Sequence, residues 1–225
     1  MYPEDSDNMV YREKFSDEMA RLYENVLTLG KECYERLNGC TSILSSDHTA
    51  DARLLVSDDR RINRLEEEIN TQAVNLITTQ QPVATDLRLI ISSIKVADDL
   101  ERISDNISNL GEVRKRVRIT NEKLLLRLST MEHLAMLMLE DVKTAYDNQD
   151  LELCREIIVR DQDIDGLFVQ ITTSDIFDET DAFVTGQSQL CAKYLERIGD
   201  HIKNIAEHVY YVLTGDKHES RSISE

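Results

Sequence analysis

The chain has 225 residues, with 26 basic and 43 acidic side chains and a formal net charge of −17. Only 5% of residues are aromatic, Trp is absent, and Gly and Pro together number nine, too few turn and strand formers for an all-β fold of this size. The charge disfavours nucleic acid and anionic membrane surfaces as partners, since both demand Lys and Arg, and it favours metal cations or basic protein surfaces.

This length fits one large domain or two of about 100 residues, and the composition points to long helices joined by few loops. The uncharged stretch around Ala73 to Thr85 is too polar to span a bilayer, and the acidic start carries no apolar signal region, so a cytoplasmic location is expected. Cys33, Cys40, Cys154 and Cys191 form no CxxC pair and are expected to be buried free thiols.

In chain order, residues 1–8 are expected to be frayed. Six helical segments follow. The first runs from about Phe15 to Leu44 on the stripe Met19, Leu22, Val26, Leu29 and Cys33. The second, about Ala50 to Gln80, carries Ile62, Leu65, Ile69, Ala73 and Leu76 and stops before Pro82. The third spans about Thr85 to Val117 and the fourth about Glu122 to Asn148. The fifth starts behind Asp150 as N-cap and reaches about Asp175. The sixth spans about Thr180 to Leu213, with Gly215 as its C-terminal stop, and residues 216–225 form a polar tail.

An internal repeat organises these helices. With an offset of 95 residues, TDLRLIISSIKVADDLERISDNISN (85–109) falls on TDAFVTGQSQLCAKYLERIGDHIKN (180–204). With a slightly different offset, Asp59-Arg-Arg-Ile-Asn-Arg-Leu falls on Asp161-Gln-Asp-Ile-Asp-Gly-Leu. The expected fold is all-α, with two tandem three-helix bundles over residues 9–118 and 119–215.

Within the repeat, Glu101 and Asp105 stand at i,i+4 and share one helix face, as do Glu196 and Asp200. The second helix of each half adds Asp59 with Asn63, and Asp161 with Asp165. These positions flank the apolar stripes, so the carboxylates are expected to face outward or into a groove. Such clusters suit hard or borderline cations (iron, manganese, magnesium or calcium) and offer no thiolate for zinc. A solvated helix face is the competing reading, with Arg102 and Arg197 as neutralising neighbours. Asp86 and Asp181 read as helix-start residues, and His201 and His208 as ordinary surface histidines.

Other chemistries lack support. None of the five histidines follows a Glu by three residues, as a ferritin-like di-iron site requires. The seven glycines form no phosphate loop. A lone helical Cys is more often a small core residue than a nucleophile.

The stretches QQPVATDLR (80–88), LERISDNISN (100–109) and YLERIGDHIKNIAEHVYYVLTG (194–215) resemble the PhoU family of phosphate-uptake regulators, over about Phe15 to Gly215. The resemblance implies two similar three-helix bundles bearing ExxxD or DxxxD motifs that hold metal ions, with iron first and manganese, magnesium or zinc as alternatives. By position, the implied ligands are Asp59, Asn63, Glu101 and Asp105 in the first half, and Asp161, Asp165, Glu196 and Asp200 in the second. Asn63 departs from the motif, and Ser104 stands where the second half has Gly199. Four carboxylates against three and an amide imply firmer metal binding by the second set. The resemblance further implies a non-enzymatic, cytoplasmic negative regulator. Its partners would be the ATPase subunit of a phosphate ABC transporter, a sensor histidine kinase and a second copy of itself, with no nucleic acid and no membrane insertion. The alternatives are a carboxylate-metal enzyme acting on a phosphate ester, and an accessory protein of another transporter.

Overall fold

The computed structural model describes residues 3–57, 59–173 and 181–218, with side chains described for 13–56, 60–173 and 181–218. These residues form helices α1 (Pro3–Leu37), α2 (Thr49–Ser57), α3 (Asp59–Gln80), α4 (Ala84–Arg116), α5 (Glu122–Asn148), α6 (Leu151–Thr173) and α7 (Ala182–Thr214), with a 3-10 turn at Ser42–Ser45. Among the described residues there is no strand. Helices α1, α3 and α4 pack into one bundle, with α2 laid on α4; helices α5, α6 and α7 form the other. The two bundles meet chiefly along α4 and α7.

Local chemistry explains most boundaries. Asn121 accepts a hydrogen bond from the Leu124 amide at 3.0 Å and starts α5. Asp150 does the same for α6 through the Leu153 amide at 3.0 Å, and Asp181 caps α7 through the amides of Phe183 and Val184. Gly215, at φ 81°, closes α7 with its amide 2.8 Å from the Tyr211 carbonyl. The 81–84 connection holds Pro82 between left-handed Gln81 (φ 47°) and Ala84 (φ 49°), a conformation no helix continues through.

The expected boundaries shift in three places. The first helix begins at Pro3 instead of near Phe15; Pro suits a first helical position, where the N–H it lacks would have no partner within the helix. That helix stops at Leu37 instead of Leu44, because Gly39 turns left-handed at φ 81°. The expected second helix is divided into α2 and α3. Helix α2 lies so close to α4 that a Cβ on Gly111 would stand 2.9 Å from the Ala52 carbonyl. The expected ends near Asp175 and Thr180, and residues 219–225 of the tail, lie outside the described residues.

The apolar stripes close into one continuous core. Leu22, Leu29 and Cys33 of α1, Ile62 and Ile69 of α3, and Leu100, Ile103, Ile107 and Leu110 of α4 are buried in it. So are Ile164 of α6 and Leu195, Ile198 and Ile202 of α7. The four cysteines are buried, and no disulfide joins any of them. A carboxylate of α5 ties the halves together: Glu132, 7% exposed, accepts from the amides of Gly39 at 2.6 Å and Thr41 at 2.9 Å, and from the Thr41 hydroxyl.

Candidate functional site

In the second half the motif residues of α6 and α7 converge. Asp161 projects from α6 onto α7 at Gly199, where a Cβ would stand 2.7 Å from its Oδ1. The glycine therefore admits a carboxylate against the helix backbone, and Asp161 is 1% exposed. One turn further along α7, Lys203 donates from Nζ to Asp161 Oδ2 at 2.6 Å and to Asp200 Oδ1 at 3.0 Å. Glu196 is served by a second lysine, with Lys193 Nζ 2.6 Å from its Oε2. Lys193 also lies over the Phe168 ring, 5.2 Å from its centroid. Asp165 is half-buried one turn from Asp161.

The electrostatics follow from this geometry. Burial raises the Asp161 carboxyl above its ordinary value; Lys203 opposes the rise, and the charges of Asp165 and Asp200 add to it. Burial works against the Lys203 ammonium, but the hydrogen bonds to Asp161 and Asp200 outweigh it and raise its pKa. Asp161 Oδ1 remains buried without a hydrogen-bond partner.

The first half is arranged differently. Asn63 is exposed on α3, while Glu101 and Asp105 are half-buried on α4. The Asp59 side chain lies outside the described residues. Arg102 Nε stands 3.7 Å from Glu101 Oε2. At the position matching Lys203 the chain has Ser108, whose hydroxyl accepts from Arg36 Nη2 of α1 at 2.8 Å. At the position matching Lys193 it has Asp98. Among the described residues, no group of three or more His, Cys, Asp or Glu is arranged to hold a metal ion.

Between the bundles, α4 and α7 border an open polar groove of about 510 Å³. Equivalent positions of the repeat meet there: Arg102 with Arg197, Asp105 with Asp200, Asn109 with Asn204. Beside it Asp99, 7% exposed, has His201 Nδ1 at 2.9 Å, His208 Nε2 at 3.3 Å and Asn204 Nδ2 at 3.3 Å. Burial would raise the Asp99 carboxyl, but the hydrogen bonds from His201, His208 and Asn204 prevail and hold its pKa below the ordinary value. A separate apolar cavity of about 480 Å³ opens where α1, α4, α5 and α7 meet, lined by Tyr34, Val96, Leu139 and Val209 among others, and it contains none of the motif carboxylates.

Two expectations are corrected here. Asp161 does not face outward; Gly199 gives it room inside the α6–α7 contact. His201 and His208 are not ordinary surface residues, because Asp99 of the other bundle engages both. Lys193, Lys203 and Asp99 escaped sequence reasoning altogether. The signal for the lysines was present: each interrupts the repeat where the first half has Asp98 or Ser108.

Comparison with known proteins agrees with this architecture. The family described as "PhoU domain" matches twice, over residues 26–113 and 128–209. A phosphate-specific transport system accessory protein PhoU homolog of Clostridium acetobutylicum is 30% identical over 212 residues, covering 91% of this chain and 96% of the relative. The phosphate-specific transport system accessory protein PhoU of Escherichia coli is 27% identical over 207 residues, 90% of this chain and 86% of the relative. Among solved structures, PhoU from Pseudomonas aeruginosa superimposes with a TM-score of 0.82 at 25% identity, covering 90% of this chain and all of that one. The phosphate transport system regulatory protein PhoU from Streptococcus pneumoniae does so with the same score and identity, over 91% and 99%. With both halves matched, the chain belongs to the PhoU family.

Proposed function

We propose that this chain is an accessory regulator of phosphate-specific transport, an adaptor that restrains phosphate uptake and phosphate-starvation signalling when phosphate is plentiful. The observation that carries this reading is the likeness of nearly its whole length to phosphate-specific transport system accessory proteins. The partners are the ATPase subunit of the phosphate ABC transporter and a sensor histidine kinase. Both are engaged in the cytoplasm, and the chain acts there as a homodimer. No described helix is long and apolar enough to cross a membrane, which supports a role beside the transporter instead of within it. The net charge of −17 supports encounter with basic partner surfaces.

An adaptor works by binding one state of its partner more tightly than another, and a coupling of about 1–3 kcal/mol shifts affinity roughly 5- to 150-fold. Metal ions, iron first, belong to this reading through the motif carboxylates: Asp59, Asn63, Glu101 and Asp105 would hold them in the first half. The second set does not fit as it stands, since Lys203 already occupies oxygens of Asp161 and Asp200. Deletion of the gene tests the regulatory role: phosphate uptake and a phosphatase reporter should both rise in phosphate-rich medium. Unchanged uptake and reporter output refute it.

A further inference from the structure

Helices α1 and α5 belong to different bundles and are tied together at two places. At one, the Tyr23 hydroxyl donates to Asp147, and the Tyr23 ring stands 5.0 Å from that of Tyr146. At the other, Glu132 of α5 holds the turn after α1. The apolar cavity of about 480 Å³ lies between these ties, with α4 and α7 completing its walls. Val26, Val96, Leu100, Leu139, Val209 and Val212 line it. Its volume falls within the roughly 300–1,000 Å³ of small-molecule sites. Gly30 borders it from α1, and a Cβ there would meet only Leu100 Cδ1, at 4.0 Å. Glycine weakens a helix interior, and here the side chain it omits would stand in the cavity.

A polar group in this wall lacks a partner. Ser92 of α4 is 4% exposed and borders the cavity, and its hydroxyl has no hydrogen-bond partner among the described residues. The neighbouring Ser93 hydroxyl, by contrast, donates to the Leu89 carbonyl at 2.9 Å. A buried hydroxyl left unpaired is unfavourable, and it rotates to meet an oxygen that enters. The cationic groups around the cavity are already engaged. Lys31 Nζ is 3.7 Å from Glu35, Lys143 Nζ is 2.6 Å from Asp147, and His208 Nε2 is 3.3 Å from Asp99. Glu140 adds a negative charge to the lining. A charged ligand would lose its hydration against apolar walls without gaining an open counter-ion.

We propose that this cavity is a binding site for an uncharged, mostly apolar small molecule carrying one hydroxyl or carbonyl oxygen. The oxygen meets Ser92, and the apolar body fills the space beside Gly30. Because its walls come from both bundles, the ligand bridges them and stabilises the pair. The site is separate from the motif carboxylates and does not depend on the regulatory reading.

The test is calorimetric titration of the full-length protein at pH 7 with 2-naphthol, beside naphthalene, which lacks the oxygen, and 2-naphthoate, which is charged. 2-Naphthol should bind more tightly than either and raise the melting temperature as its concentration rises. Ser92→Ala should weaken 2-naphthol about 3- to 10-fold and leave naphthalene unchanged. Gly30→Leu should weaken both at least tenfold while melting no lower than the parent protein, since its side chain occupies open space. Gly30→Met, with a more adaptable side chain, repeats the test should the leucine variant melt early. Absence of 2-naphthol binding by the parent protein overturns the inference. So does binding that neither Gly30 variant weakens, since the ligand then sits elsewhere. Equal binding of naphthalene or 2-naphthoate, or no effect of Ser92→Ala on 2-naphthol, overturns the ligand class assigned to the site.

Discussion

Asp161 owes its burial to a residue on another helix. Gly199 leaves a gap that a methyl group would fill, 2.7 Å from Asp161 Oδ1 and 3.0 Å from Ile164 Cδ1. Gly199→Ala should therefore destabilise the protein by about 1–3 kcal/mol, the usual cost of overpacking. Gly166, also helical, has open space where a methyl group would stand, with no neighbour within 4 Å, so Gly166→Ala should stabilise by about 0.5–1 kcal/mol. Urea unfolding midpoints at constant slope distinguish the two; shifts of the same sign would contradict the packing argument. The thiols give a second prediction at this scale. Burial above all pushes Cys154 up to about 11 and Cys191 up to about 12, and Cys40 is raised too. A disulfide reagent at pH 8 should modify essentially none of the four cysteines in native protein and all of them in urea, because burial blocks access to all four and thiolate is scarce at Cys40, Cys154 and Cys191.

At the scale of the element, the apolar stripe and the polar flank of a helix respond differently. Ile103 of α4 and Ile198 of α7 are fully buried, and Asp at either position strands a charge in the core, at about 3–5 kcal/mol. Asn63→Ala, on the exposed flank of α3, should stay within about 0.5 kcal/mol. Circular dichroism melts rank these variants, and a large loss for Asn63→Ala would mean that the faces of α3 are reversed. Glu132 shows what a single polar side chain does between elements. Its carboxylate satisfies two amides and a hydroxyl of the turn after α1, so Glu132→Ala strands buried donors at about 1–3 kcal/mol each. A destabilisation of at least about 2 kcal/mol is expected on that basis. Glu132→Gln, which keeps one acceptor oxygen, should recover part of it.

For the whole molecule, one core runs through both bundles, and α4 against α7 is its seam. The halves should unfold in a single transition, with coincident far-ultraviolet dichroism and thiol exposure; two resolved transitions would contradict a continuous core. Asp99→Ala removes the acceptor shared by His201, His208 and Asn204 across that seam, and should cost about 1–3 kcal/mol while leaving helix content unchanged.

The all-helical class, the duplication and most helix ends were legible from sequence because each depends on neighbours a few residues apart. Leu100, Ile103, Ile107 and Leu110 declare a buried face by their spacing, and Asn121, Asp150, Asp181 and Gly215 declare termini by their own backbone chemistry. The site was legible only as a set of carboxylates. Periodicity separates apolar from polar faces, but it does not say which polar residue another helix will cover. Asp161 is enclosed by Gly199, and Asp99 by residues more than a hundred positions away; Glu132 serves amides more than ninety positions away. Lys203 became the partner of Asp161 only when α6 and α7 packed, because a long flexible stem finds its counter-charge in three dimensions and leaves no local spacing to mark the choice.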